Sequence, residues 1–190
     1  MCPPKAVADP VLTAAELGEI RDHALADYPR ECCGFVLRRV TESAVWRCLN
    51  AMDELHRRNP AKYPRDAEAA FAIDPNDMIK LVHLLGSGWL VHAIYHSHPR
   101  GGAHFSEEDL QQALCGRTSP SYPDAAQVVV ALPGRLLTAA HAYRWDPTRA
   151  AYLLVGALTW ERRLDPDRGA VLVTRQPRVL PLVALEPMPA

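Results

Sequence analysis

Two histidines, a serine and an aspartate stand close together in the stretch His96–Asp109, which reads HSHPRGGAHFSEED. On a strand, alternate side chains share a face, so His96 and His98 can present two imidazoles to one ion while Ser97 turns away. Two ligands hold zinc poorly. A third is available if the loop from Pro99 to Phe105 folds back and the following helix brings Asp109 to the same point, giving two nitrogens and one oxygen. The fourth tetrahedral position then stays open for water, the mark of a catalytic rather than a structural zinc site. A plainer reading exists beside this one. An isolated histidine pair before proline fits a strand end, and Ser106 with an acidic residue three positions on fits an N-capped helix start.

Bringing these groups together requires a strand that ends near His98 and a helix that begins at Ser106. WLVHAIYHSHP reads as that strand and Ser106 to Cys115 as that helix, followed by AQVVVAL as a buried strand. RLLTAAHAYRWD forms another strand after the Pro133-Gly134 turn. Upstream, Thr13 precedes AAELGEIRDHALADY, whose Leu17, Ile20, Ala24 and Ala26 recur near helical spacing until Pro29 ends the pattern. ECCGFVLRRV and SAVWRCLN, separated by Thr41 and Glu42, predict a hairpin. Pro75 opens a helix with Met78, Ile79, Val82 and Leu85 on one side and Gly86 at its end.

Between hairpin and helix, residues 51–74 are charged and proline-punctuated, and so long a connection predicts an active-site flap or insertion. After Arg149, YLLVGALTW, AVLVTR and RVLPLVAL are candidate strands. There is no internal repeat and no low-complexity block. The alternation of helices and strands predicts an α/β fold, a mixed sheet with helices packed on its faces.

The string from His96 to Asp109 resembles the signature of the JAB/MPN/JAMM metalloprotease family: HxHP, six residues, serine, two residues, aspartate. Every fixed position matches, with Arg100 to Phe105 as the six residues and Glu107-Glu108 as the two. Glu31-Cys32-Cys33-Gly34 resembles the family's upstream glutamate, which follows the first helix and precedes a glycine. YHSHPRGG and the tract from Tyr63 to Pro75 are similar to the stand-alone bacterial branch. A departure is Arg38-Arg39 after Leu37, where many relatives have glycine.

The resemblance covers residues 10–148, expected to be the metalloprotease domain, with 149–190 as a C-terminal extension. It implies a curved, cytidine-deaminase-like layered sheet. It also implies that His96, His98 and Asp109 hold Zn²⁺, that Glu31 carries protons without touching the metal, and that Ser106 donates to the oxyanion. Zinc lowers the pKa of bound water to about 7, which makes hydroxide available near neutrality. Glu31 would accept the proton during attack on an amide carbonyl and deliver it to the leaving nitrogen.

The implied activity is that of a metallopeptidase or isopeptidase acting on the C-terminal tail of a ubiquitin-like or sulfur-carrier protein. Two alternatives stand beside it. One is a metal-free MPN-type scaffold, in which the ligand positions are ordinarily substituted, whereas here Glu31, His96, His98, Ser106 and Asp109 are all intact. The other is a phage tail-assembly peptidase, which commonly carries a second domain for which 190 residues leave no room.

Other candidates carry less. His92 shares the strand face of His96 and His98 by alternation but suits a satisfied core histidine, and His104 suits a solvated loop. Cys32 and Cys33 beside Glu31 invite a nucleophile reading, yet no motif supplies a histidine partner. Arg65 and Tyr63 in the charged tract are candidates to contact a peptide tail. A zinc deaminase would need PCxxC, which is absent.

Composition bounds the function. The chain has 190 residues and a net charge of -1 from 21 basic and 22 acidic side chains, so it lacks the basic footprint of a nucleic-acid binder. The apolar runs are too short for a membrane span, and MCPPKAVADP lacks the core of a signal peptide, so the expectation is a cytoplasmic protein without membrane or nucleic-acid partners. A homodimer is left open. The odd count of five cysteines without CxxC spacing argues against a disulfide framework.

Overall fold

The computed structural model describes residues 11–165 and 169–175. Its first helix, α1 (Ala14–Asp27), begins at Thr13, whose hydroxyl accepts from Glu16 N–H while the Glu16 carboxylate accepts from Thr13 N–H, a reciprocal capping box. The hairpin of β1 (Cys33–Arg39) and β2 (Glu42–Cys48) turns through Val40, a non-glycine residue at φ 39°. The expected hairpin therefore forms without a glycine, at the cost of one left-handed residue that lies in the open.

Residues 51–74 are not wholly irregular. They include α2 (Met52–Arg58), of which only Met52 is buried. So small an apolar contribution leaves almost no periodicity to read.

Then come α3 (Pro75–Gly86), β3 (Leu90–His98), α4 (Glu107–Leu114) and β4 (Ala126–Ala131). β5 (Ala139–Asp146) starts later than expected, because Pro133–Arg135 form a 3-10 turn in which Gly134 and Arg135 both have positive φ. β6 (Ala151–Asp165) and β7 (Gly169–Arg175) cover two of the candidate tail strands, while RVLPLVAL lies outside the described residues.

All seven strands join one sheet in the order β2-β1-β3-β4-β5-β6-β7. The β3–β4 pair is parallel, as a crossover through α4 requires, and the other pairs are antiparallel, which makes the sheet mixed as expected. Alternation along β1 divides the interior. Val36 joins Leu12, Leu17, Ile20 and Tyr95 beneath α1, while Phe35 and Leu37 pack with Leu81 of α3 on the opposite face. At Gly34 the backbone and Tyr95 approach so closely that a Cβ would lie 2.2 Å from the Trp46 carbonyl oxygen and 2.6 Å from the Tyr95 hydroxyl. Among the described residues no helix is long and apolar enough to cross a membrane.

Candidate active site

His96 and His98 occupy the carboxyl end of β3, in the middle of the sheet, with β1 on one side and β4 on the other. Alternation places both on the face of Phe35 and Ile94, whereas Ser97 points away and its Oγ accepts from Cys32 N–H at 2.8 Å. His92 departs from the expected alternation. The β1–β3 register shifts between Val36, opposite Ala93, and Leu37, opposite Val91, so His92 has no partner in the register. Its Nε2 lies 2.8 Å from the Val11 carbonyl, on the α1 side, as a satisfied structural histidine.

After β3 the loop turns back through Gly101 and Gly102. The Gly102 carbonyl accepts from His98 Nδ1 at 2.8 Å, and this leaves the Nε2 lone pair of the neutral ring facing the site. α4 then delivers Asp109. Ser106 Oγ caps the helix by accepting from Asp109 N–H at 3.1 Å, and Asp109 Oδ2 accepts from Ser106 N–H at 2.8 Å and from its hydroxyl at 2.7 Å. The plain capping reading of Ser106 and Asp109 is therefore real, and the same box orients the carboxylate.

The three side chains converge. His96 Nε2 lies 3.1 Å from His98 Nε2 and 3.2 Å from Asp109 Oδ1, and His98 Nε2 lies 3.8 Å from Asp109 Oδ2. Ligands about 2.0–2.1 Å from a tetrahedral ion stand roughly 3.3–3.4 Å apart, so this spacing suits one small cation. The chemistry of the donors agrees with that fit, being two imidazole nitrogens and a carboxylate oxygen with one coordination position to spare. His96 is fully buried with its Nδ1 unpartnered, and the Phe71 ring stacks on it at 4.5 Å between centroids.

The protonation states point the same way. Burial, reinforced by the neighbouring His96, lowers the His98 pKa to about 4, which keeps the ring neutral. Burial alone would raise Asp109, but hydrogen bonds from His96 and Ser106 hold it well below the usual carboxylate range, and it stays charged. Burial pushes Glu31 up to about 7, with His96 and Arg65 opposing the rise and Asp109 adding to it. A carboxyl poised near neutrality suits proton transfer.

Glu31, His98, His104, Ser106 and Asp109 line one cavity of about 260 Å³, which includes Arg65, Arg100 and Gln112 at its rim. Arg65 reaches across to Glu108 at 2.7 Å, so the 51–74 tract does border the mouth, and Arg100 pairs with Glu68. Tyr63 is not among the lining residues; its carbonyl is bound to His56 Nδ1 at 2.7 Å. Cys32 and Cys33 are buried packing groups, and burial pushes the Cys32 thiol up to about 12 and raises that of Cys33 as well.

Three features escaped the sequence. Phe71, which stacks on His96, and Asn50, whose side-chain amide donates to the Glu31 carbonyl, make contacts distant along the chain, and no local pattern marks them. Gln112 lies one helical turn after Asp109, so helical spacing would have found it.

The family described as prokaryotic homologs of the JAB domain matches residues 13–132 of this chain. A protein from Desulfitobacterium hafniense with a known solution structure is 18% identical, with 85% of this chain and 87% of that one covered at a TM-score of 0.49. Another, from Salinibacter ruber, is 26% identical, with 84% and 94% covered at a TM-score of 0.48. No curated protein matches the chain.

Proposed function

This chain belongs to the prokaryotic homologs of the JAB domain, a family that includes metallopeptidases, and from that premise we propose that it is a zinc-dependent peptidase or isopeptidase. The observation that carries the reading is the convergence of His96, His98 and Asp109 on one point beside the buried carboxyl of Glu31. His96, His98 and Asp109 would hold the zinc, which when bound supplies Lewis acidity and brings the pKa of a coordinated water to about 7.

Glu31 lines the same cavity without being one of the converging ligands, so its carboxylate accepts the proton of the attacking water and passes it to the leaving amide nitrogen. Ser106 turns its hydroxyl proton from Asp109 toward the developing oxyanion, and its acceptance from Asp109 N–H keeps the oxygen in place. The resemblance in sequence supports, as the substrate class of this reading, the C-terminal tail of a ubiquitin-like or sulfur-carrier protein. Arg65 and Arg100 at the rim, which pair with Glu108 and Glu68, support that reading as cationic groups for the carboxyl end of such a tail.

The test compares metal content and hydrolysis in protein purified without chelator. A sulfur-carrier protein with an amide-linked C-terminal extension serves as substrate. Wild type is expected to hold one zinc and trim the extension. Glu31→Gln keeps the zinc and loses at least about 10²-fold in rate, and His96→Ala loses both. Full activity of Glu31→Gln removes the proton-carrying role, and a wild type that neither holds zinc nor cleaves is a docking module instead.

A further inference from the structure

We propose that Asn50 is a positioning residue that sets the place of Glu31 through its main chain; the proposal rests on Glu31 being the proton carrier. β1 begins at Cys33, so the peptide groups of Glu31 fall outside the sheet ladder and need other partners. They find them in the 51–74 tract and its start. Glu31 N–H donates to the Ala67 carbonyl at 2.7 Å, and the Glu31 carbonyl accepts from Asn50 Nδ2 at 2.9 Å.

The same Nδ2 donates to the Ala70 carbonyl at 3.0 Å, and Asn50 Oδ1 accepts from Met52 N–H at 3.0 Å and Ala72 N–H at 3.1 Å. Four bonds use both donors and both lone pairs of the amide, which also fixes which end is nitrogen. The Asn50 main chain adds an isolated bridge to Ile73.

The residues Asn50 grips are informative. Ala70 and Ala72 flank Phe71, whose ring stacks on His96. One amide thus ties the main chain of the proton carrier to the segment that walls a metal-binding imidazole. No other side chain of this size does so. Aspartate would set a carboxylate against two carbonyls, serine lacks the second donor, and glutamine is a methylene too long.

The experiment uses the full-length zinc-loaded protein carrying Asn50→Asp, with Glu31→Gln measured in parallel. Asp retains both acceptor bonds, loses the two donations, to Glu31 and Ala70, and turns a carboxylate oxygen against those carbonyls. Expected are unchanged zinc stoichiometry, KM within about twofold, and kcat reduced about 10- to 100-fold, the scale of an ångström's misplacement. A group that only braces the loop would lower the melting temperature and leave the turnover of folded enzyme unchanged, and that result overturns the proposal.

A crystal structure of metal-free Asn50→Asp supplies a readout independent of activity. Displacement of the Glu31 carboxyl from the cavity supports the proposal, and an unmoved Glu31 overturns it. Should Asn50→Asp not fold, Asn50→Ser, which keeps an acceptor for Met52 N–H, takes its place in both measurements. Failure of the underlying reading is visible separately, as a Glu31→Gln variant that turns over like wild type.

Discussion

Ser106 performs two tasks that ordinarily belong to different residues. As a helix cap its oxygen accepts from Asp109 N–H, and as a donor it holds the Asp109 carboxylate that converges with His96 and His98. Ser106→Ala should therefore show two separable losses. Removal of the cap costs about 1 kcal/mol of stability by denaturant titration. Loss of the hydroxyl proposed above as oxyanion donor should lower kcat by about 10² to 10³. A stability loss with turnover unchanged would reduce Ser106 to a cap.

The residues from His96 to Asp109 were legible because strand alternation and helix capping act over a few positions, and both read directly from spacing. Glu31 was not legible in that way. It comes beside the triad only through the β1–β3 pairing, where Cys33 stands opposite His96, and no local rule links residues so far apart. Asn50 was less legible still, since its partners are main-chain groups whose chemistry is the same at every residue.

Among the elements, β1 is the piece that joins site and core. It carries Cys33 opposite His96 at one end and crosses the interior with Phe35, Val36 and Leu37 all buried. Gly34, between these, gives Tyr95 room to place its hydroxyl 2.8 Å from His23 Nδ1. Adding a methyl there presses on a backbone oxygen that cannot move cheaply. Gly34→Ala should cost about 3 kcal/mol, at the upper end for overpacking, measured by the denaturation midpoint. A change within about 0.5 kcal/mol would contradict the packing described. The element errors have the same root as this success. β1 was readable from its apolar run, whereas α2, with Met52 alone buried, has too little apolar surface to leave a periodic trace.

At the scale of the whole molecule, buried histidines should make the metal-free protein less stable in acid. Burial lowers the pKa of His23, His92, His98 and His141 below the ordinary value, 6.5 for histidine. At each of these histidines the unfolded chain binds more protons than the folded one once the pH drops below about 6.5, which favours unfolding progressively there, while the Glu31 carboxyl, raised to about 7, acts in the opposite sense as the pH falls through 7. Thermal melts of metal-free protein between pH 8 and pH 5 should show this. His92→Gln, which retains a donor for the Val11 carbonyl, should flatten the slope, and an equal slope in the variant would remove His92 from the account.

All of these effects bear on how the fold holds one point in space, where His96, His98 and Asp109 meet. The most direct measurement is anomalous diffraction at the zinc edge from crystals grown with one equivalent of zinc. A single peak about 2.0–2.2 Å from His96 Nε2, His98 Nε2 and an Asp109 carboxylate oxygen is the expected result. A zinc peak elsewhere, or none with the three side chains ordered as described, would contradict the claim.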